Sequence, residues 1–129
     1  MYKGLCDRIF QIIDNTPFIV HNQLQRELGS AIAERYKLEV KYEYKIYCIP
    51  GEYHNGYIDM VFYRGVKRVM AIELDSGYKE RSLKKLAAVE FPHRLWICYA
   101  KKHKPEKLER LAAYGIPLCT RFVRLNGVD

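Results

Sequence analysis

The stretch Gly56-Tyr-Ile-Asp59-Met-Val-Phe-Tyr63, the link Arg64-Gly65-Val66-Lys67 and the run Arg68-Val-Met-Ala-Ile-Glu73-Leu-Asp75 decide the reading of this chain. Two apolar runs joined by so short a Gly-containing link predict an antiparallel hairpin, because such links close tight two-strand turns. By strand alternation, Tyr57, Asp59 and Val61 share one face of the first run, and Val69, Ala71, Glu73 and Asp75 share one face of the second. Carboxylates are costly in apolar strands unless something compensates their charge. Here one acid from the first strand and two from the second are placed to converge near one end of the hairpin. A hard divalent cation is the natural compensation: Mg²⁺ prefers oxygen ligands and keeps several waters, so a few carboxylates and a phosphate oxygen complete its shell. Asp75, beside Ser76-Gly77, also suits turn chemistry or a helix cap.

Upstream of the hairpin, residues 2 to 14 carry Leu5, Ile9, Phe10, Ile12 and Ile13, the pattern of a short amphipathic helix ending before Asn15-Thr16-Pro17. A second helix is predicted over 22 to 35, with Leu24, Leu28, Ala31 and Ile32 on one face. Residues 38 to 48 switch to a period of two, Leu38, Val40, Tyr42, Tyr44 and Ile46 facing one way and Glu39, Lys41, Glu43 and Lys45 the other. Downstream, a helix is predicted from Glu80 to Val89, and the apolar run Arg94 to Tyr99 reads as a buried central strand. Pro105 suits the first turn of a helix running to Tyr114, Gly115 is placed to end it, and Ile116 to Phe122 reads as a last strand. The element order is α-α-β-β-β-α-β-α-β, with no internal repeat or linker, so residues 1–129 form a single α/β domain.

Hydrophobic residues make up 49% and charged residues 29% of the chain, a balance that supports a packed core rather than a disordered segment. No run approaches ~18 consecutive apolar residues, so no membrane span is expected. The first residues carry no apolar stretch followed by a small-residue cleavage site, and a cytoplasmic location is expected. Cys6, Cys48, Cys98 and Cys119 lie far apart at no zinc-ligand spacing and are expected as reduced, mostly buried thiols. The net charge of +7 suits a polyanionic partner, since neutralising phosphates releases condensed counterions.

The two hairpin strands, with Asp59 on one and Glu73-Leu-Asp75 on the other, resemble the signature of the PD-(D/E)XK nuclease superfamily. That superfamily includes type II restriction enzymes, archaeal Holliday-junction resolvases and RecB-type nuclease domains. Its shared α-β-β-β-α-β core corresponds to residues 22 to 99, so the resemblance implies a restriction-endonuclease-like fold with a mixed central sheet flanked by helices. It implies Asp59 and Glu73 as ligands of Mg²⁺ or Mn²⁺. It also implies Glu27, on the helix before the first strand, as the acid that completes the metal site in the resolvase-like branch; an ordinary exposed helix residue is the other reading of Glu27. The chain departs from the pattern at Asp75, where the family usually has the lysine that stabilises charge developing at the phosphate. Lys79, Lys84 and Lys85 near the following helix are candidates for that role. Lys85-Leu86 is similar to the Gln-Leu pair that RecB-like members place there, which makes Lys85 the first choice.

The function so implied is metal-dependent hydrolysis of DNA phosphodiesters by a metal-activated water, with Asp59, Glu73 and Glu27 holding the ion and Asp75 adding a ligand or taking the water's proton. Lys79, Lys84, Lys101, Lys102 and Lys104 are candidate contacts to the nucleic-acid backbone, with Arg81, Arg121 and Arg124 elsewhere in the chain. Tyr42, Tyr44 and Tyr57 are expected in the core, and Tyr53 and Tyr78 in loops where they could stack on bases. The four histidines form no pair or triad and receive no role. A homodimer would let so small a nuclease cut two strands. Two other readings remain open: a nucleic-acid-binding module of the same fold that has lost catalysis, and an interaction subunit whose acids face solvent.

Overall fold

The computed structural model describes residues 2, 4–16, 20–47, 49, 51, 52, 54–102 and 104–120, together with the backbone of 124 and 125. Four helices, α1 (Leu5–Asp14), α2 (His21–Tyr36), α3 (Glu80–Ala88) and α4 (Pro105–Ala112), flank one sheet. Its strands are β1 (Glu39–Ile46), β2 (Gly56–Arg64), β3 (Lys67–Asp75), β4 (His93–Cys98), β5 (Leu118–Thr120) and the two-residue β6 (Arg124–Leu125), in the spatial order β1-β2-β3-β4-β5-β6. β1, β2 and β3 form an antiparallel meander, whereas β4 and β5 run parallel to β3 and β6 turns back antiparallel. The chain is thus mixed α/β in the order read from the sequence, with β6 added. Residues 121 and 122 of the expected last strand lie outside the described residues, as do Tyr53, Cys48, His103, Arg121 and the side chain of Arg124.

Each helix turns one apolar stripe to the sheet. Leu5, Ile9 and Ile13 of α1 and Leu24, Leu28 and Ile32 of α2 repeat every four residues, and all are buried against Met60, Phe62, Met70, Ile72, Leu74, Leu95 and Ile97. On the opposite face Leu83 and Leu86 of α3 and Leu108 and Leu111 of α4 cover Val61, Ala71, Trp96, Cys98 and Leu118. Cys6 in α1 and Cys119 in β5 are joined as a disulfide, with their Cα atoms 5.8 Å apart, where the sequence reading expected reduced thiols. They are 113 residues apart along the chain, and only the strand order brings β5 beneath α1. Cys98 keeps a free, buried thiol.

Strict alternation holds along β3 from Met70 to Asp75 but fails in β1 and β2. Tyr42 packs with the α1–α2 layer and Tyr44 with the α3–α4 layer, although their spacing assigns both to one face. Met60 and Ile58 divide in the same way. The switch falls at Glu43, whose φ of 54° is rare for a residue with a side chain, and at Asp59, which lies between the paired positions Tyr42↔Met60 and Tyr44↔Ile58. The sheet is therefore creased on both strands at the level of Asp59.

The β2–β3 register that carries the acids is set by the turn. Arg64 pairs with Lys67 across Gly65-Val66, and Gly65 has a φ of 62°. A two-residue hairpin turn with a positive φ at its first central position favours glycine there. Gly65→Ala should lower unfolding free energy by about 1–2 kcal/mol in urea titration, while Val66→Ala at the fully exposed neighbouring position should leave it unchanged. Equal effects at the two positions would contradict this account of the turn.

Candidate active site

At the crease, side chains replace the backbone ladder between β2 and β3. Regular pairing runs through Met60↔Ile72. Beyond it the Asp59 N–H donates to Glu73 Oε1 at 2.9 Å, and the Leu74 N–H donates to Asp59 Oδ2 at 2.8 Å. Two backbone donors that would otherwise need carbonyl partners are thereby satisfied by carboxylates. Gln25, on the buried side of α2, donates from Nε2 to the Asp59 carbonyl at 2.7 Å and to Glu43 Oε1 at 3.3 Å, which ties the creases of β1 and β2 together.

The splayed strands border a cavity of about 320 Å³, lined by His21, Asp59, Glu73, Asp75, Lys79, Arg81, Ser82 and Lys85. Both helical layers contribute to it. From α2, His21 Nε2 lies 3.0 Å from the Leu74 carbonyl oxygen and 3.5 Å from Asp59 Oδ2. From α3, Lys85 Nζ lies 3.0 Å from Glu73 Oε2 and donates to the Tyr57 carbonyl at 2.8 Å. The lysine stem runs beside Gly56, where an added Cβ would stand 3.2 Å from Lys85 Cδ. Asp75 Oδ2 accepts the Trp96 indole N–H at 2.7 Å, and its Oδ1 lies 4.0 Å from the exposed Lys79 ammonium. Arg81, also at the rim, pairs its Nε with Glu52 Oε1 at 3.0 Å.

Close packing of acids with little water shifts their titration. Burial, followed by the negative charge of Asp59, pushes Glu73 up to about 8, and the Lys85 ammonium only partly offsets this. The Asp59 carboxylate holds a proton on His21, raising it to about 9 against the opposing effect of burial. At neutral pH the cluster therefore keeps protons on Glu73 and His21 while Lys85 sits between Glu73 and the Tyr57 carbonyl. Among the described residues no three His, Cys, Asp or Glu side chains are grouped as a ready-made metal cage.

Of the residues singled out in the sequence, Asp59, Glu73, Asp75, Lys79, Arg81 and Lys85 share this cavity. Glu27 is not brought to it. It is exposed on α2, with Oε2 3.4 Å from Thr16 Oγ1. His21 and Gln25, one turn apart, face the crease instead, and Glu27 lies about 200° around the helix from Gln25. Lys84 is half-buried on α3 outside the cavity lining. Lys101, Lys102 and Lys104 are exposed on the β4–α4 loop. That loop leaves the sheet at the same end as the acids, because parallel β3 and β4 pair Asp75 with Cys98. Tyr78 ties it to the β3–α3 loop: its hydroxyl donates to the Lys102 carbonyl at 2.7 Å and accepts the Lys104 N–H at 3.2 Å. Sequence reasoning missed His21, Gln25 and Ser82. The spacing of His21 and Gln25 was the available signal, but it leaves open which side of α2 meets the crease.

No family model, curated protein or solved structure matches this chain.

The titration of the cluster predicts how stability depends on pH. Unfolded, Glu73 ionises near its ordinary value of 4.5; folded, it keeps its proton to about 8. Between those values the folded chain binds more protons, so stability falls as pH rises. His21 acts in the same direction between 6.5 and about 9. Thermal melts should therefore show the melting temperature declining from pH 5 to 9. Glu73→Gln should flatten the decline below pH 8 and melt above the parent at pH 8.5. An unchanged slope in that variant would contradict the raised Glu73 pKa.

Proposed function

We propose that this chain is a metal-dependent phosphodiesterase that cuts DNA, of the restriction-endonuclease-like type. The observation that carries the reading is the approach of Lys85 Nζ to 3.0 Å from Glu73 Oε2, inside a cavity shared with Asp59 and Asp75. The motif lysine is absent from its usual place after Glu73, and a lysine on the next helix supplies a positive charge to the same carboxylate. Topology gives further support: an antiparallel meander, a crossover helix and a fourth strand parallel to the third are what a restriction-endonuclease-like core requires. The cavity also lies at the carboxyl ends of parallel β3 and β4, where open α/β sheets commonly bind ligands.

The donor set fits a hard divalent cation. The candidate ligands are carboxylate oxygens, and Mg²⁺ is commonly held by one or two carboxylates, waters and substrate phosphate rather than by an all-protein cage. Asp59 and Glu73 would hold the ion, with Asp75 next to them and Glu27 taking no part. When bound, such an ion makes its water more acidic and polarises the scissile phosphate. The chain's own groups do the remaining work. The Lys85 side chain is only 12% exposed, and its ammonium would stand where negative charge develops, its effect strengthened by low water content. Trp96 fixes one oxygen of Asp75, leaving the other facing the cavity rim. Lys79, Lys101, Lys102 and Lys104 border the same end and would meet the DNA backbone.

Supercoiled plasmid incubated with the protein and Mg²⁺ or Mn²⁺ should be nicked, with no reaction in EDTA. Glu73→Ala and Asp59→Ala should abolish nicking, and Lys85→Ala should slow it by about 10²–10³-fold. DNA binding with no metal-dependent cleavage by the parent protein would instead indicate a nucleic-acid-binding module that lacks catalysis.

A further inference from the structure

Among the described residues two tyrosine rings are exposed, Tyr47 at 72% and Tyr57 at 48%. Tyr57, expected in the core from its apolar strand, instead points away from it. Its carbonyl accepts from the Lys85 ammonium that reaches Glu73, so the Tyr57 backbone stands at the cavity, two residues from Asp59. Lys45 is its cross-strand partner on β1, and Lys45 Nζ lies 4.9 Å from the centre of the Tyr47 ring. Cross-strand partners share a sheet face, and the Lys45 ammonium at the Tyr47 ring brings that ring to the same place. Tyr57, Lys45 and Tyr47 therefore stand together on the β1–β2 edge. Ile46 and Ile58, alternating with them, are buried under α3 on the other face. On their own side α2 begins at His21, level with Asp59 and Leu74, and Tyr47 and Tyr57 beyond the crease are exposed.

Among the described residues the other large apolar side chains that are exposed are Val20 and Val66, so the two rings flank a cation without the broad contiguous apolar patch that marks a protein-docking surface. Aromatic faces with an interleaved lysine suit unpaired bases, since every base has a π-face and the lysine can meet the intervening phosphate. In a duplex those base faces are already stacked on their neighbours. We infer that Tyr47, Lys45 and Tyr57 form a stacking platform for single-stranded DNA, feeding a strand from the sheet edge into the cavity of Asp59 and Glu73. The inference rests on the proposed nuclease reading for the strand's destination. The chain's charge of +7 and the Lys79 and Arg81 side chains at the cavity supply the matching charge along that path.

Fluorescence anisotropy tests the platform without cleavage, in EDTA and at one fixed salt concentration. The probes are a labelled short oligo-dT strand and a blunt duplex of equal length. The parent should bind oligo-dT more tightly than the duplex. Tyr47→Ala with Tyr57→Ala should weaken oligo-dT binding by roughly tenfold or more and change duplex binding little. Tyr47→Phe with Tyr57→Phe should retain the parent affinity, which separates ring stacking from loss of the hydroxyls. Tyr47→Ala alone, at the more exposed ring, covers the case in which the double variant fails to fold and should weaken binding in part. Tighter duplex binding by the parent, or oligo-dT binding indifferent to both alanine variants, would overturn the platform and leave the cleavage proposal standing. A chain that shows the tyrosine dependence but never cuts DNA would retain the platform and lose the nuclease assignment.

Discussion

The arrangement depends on an exchange of hydrogen-bond partners at one point of the sheet. Where an unbroken β2–β3 ladder would join amide to carbonyl, the Asp59 amide meets the Glu73 carboxylate and the Leu74 amide meets the Asp59 carboxylate. Each acid thus completes the other strand's backbone, and neither can turn out to solvent without exposing a donor. This holds two acids together in a buried place. Burial and the charge of Asp59 keep a proton on Glu73 up to about 8, while Lys85 approaches Glu73 from one helical layer and His21 faces Asp59 from the other. The cavity follows from that exchange, because strands joined through side chains stand further apart than strands joined directly.

The surrounding fold presents this crease. Gln25 anchors β1 and β2 on the α2 side, and Trp96 fixes Asp75 from the neighbouring strand on the α3 side. The parallel β3–β4 pair sends two loops out at the same end, and Tyr78 binds them together. Basic residues on those loops therefore lie near the acids by topology, although some twenty-five residues separate the two loops in the chain. The proposed nuclease chemistry and the proposed single-strand platform both use this end of the sheet.

Much of this was legible in the sequence. Apolar periodicity gave the order of helices and strands, Gly65 marked the hairpin, and alternation along β3 placed Glu73 and Asp75 on one face. What was hidden has physical causes. A residue such as Glu43 adopts a positive φ with no signature in its side chain, so the crease and the changes of face at Tyr44 and Ile58 could not be read. The rotation of α2 about its axis decides between Glu27 and the pair His21 and Gln25, and Leu24 and Leu28 fix that rotation only once the strand beneath them is known. Tyr57 lies in an apolar run but on a stretch of sheet that α2 does not reach, a matter of helix placement rather than local pattern. The Cys6–Cys119 link depends on strand order alone.

The central claim is that Asp59 and Glu73 jointly receive one hard cation. Anomalous diffraction from crystals soaked in Mn²⁺ measures this directly. A single peak is expected in the cavity, at about 2.0–2.2 Å from one carboxylate oxygen of each residue. A cavity without a peak at saturating Mn²⁺, or a peak ligated by neither Asp59 nor Glu73, would contradict the claim.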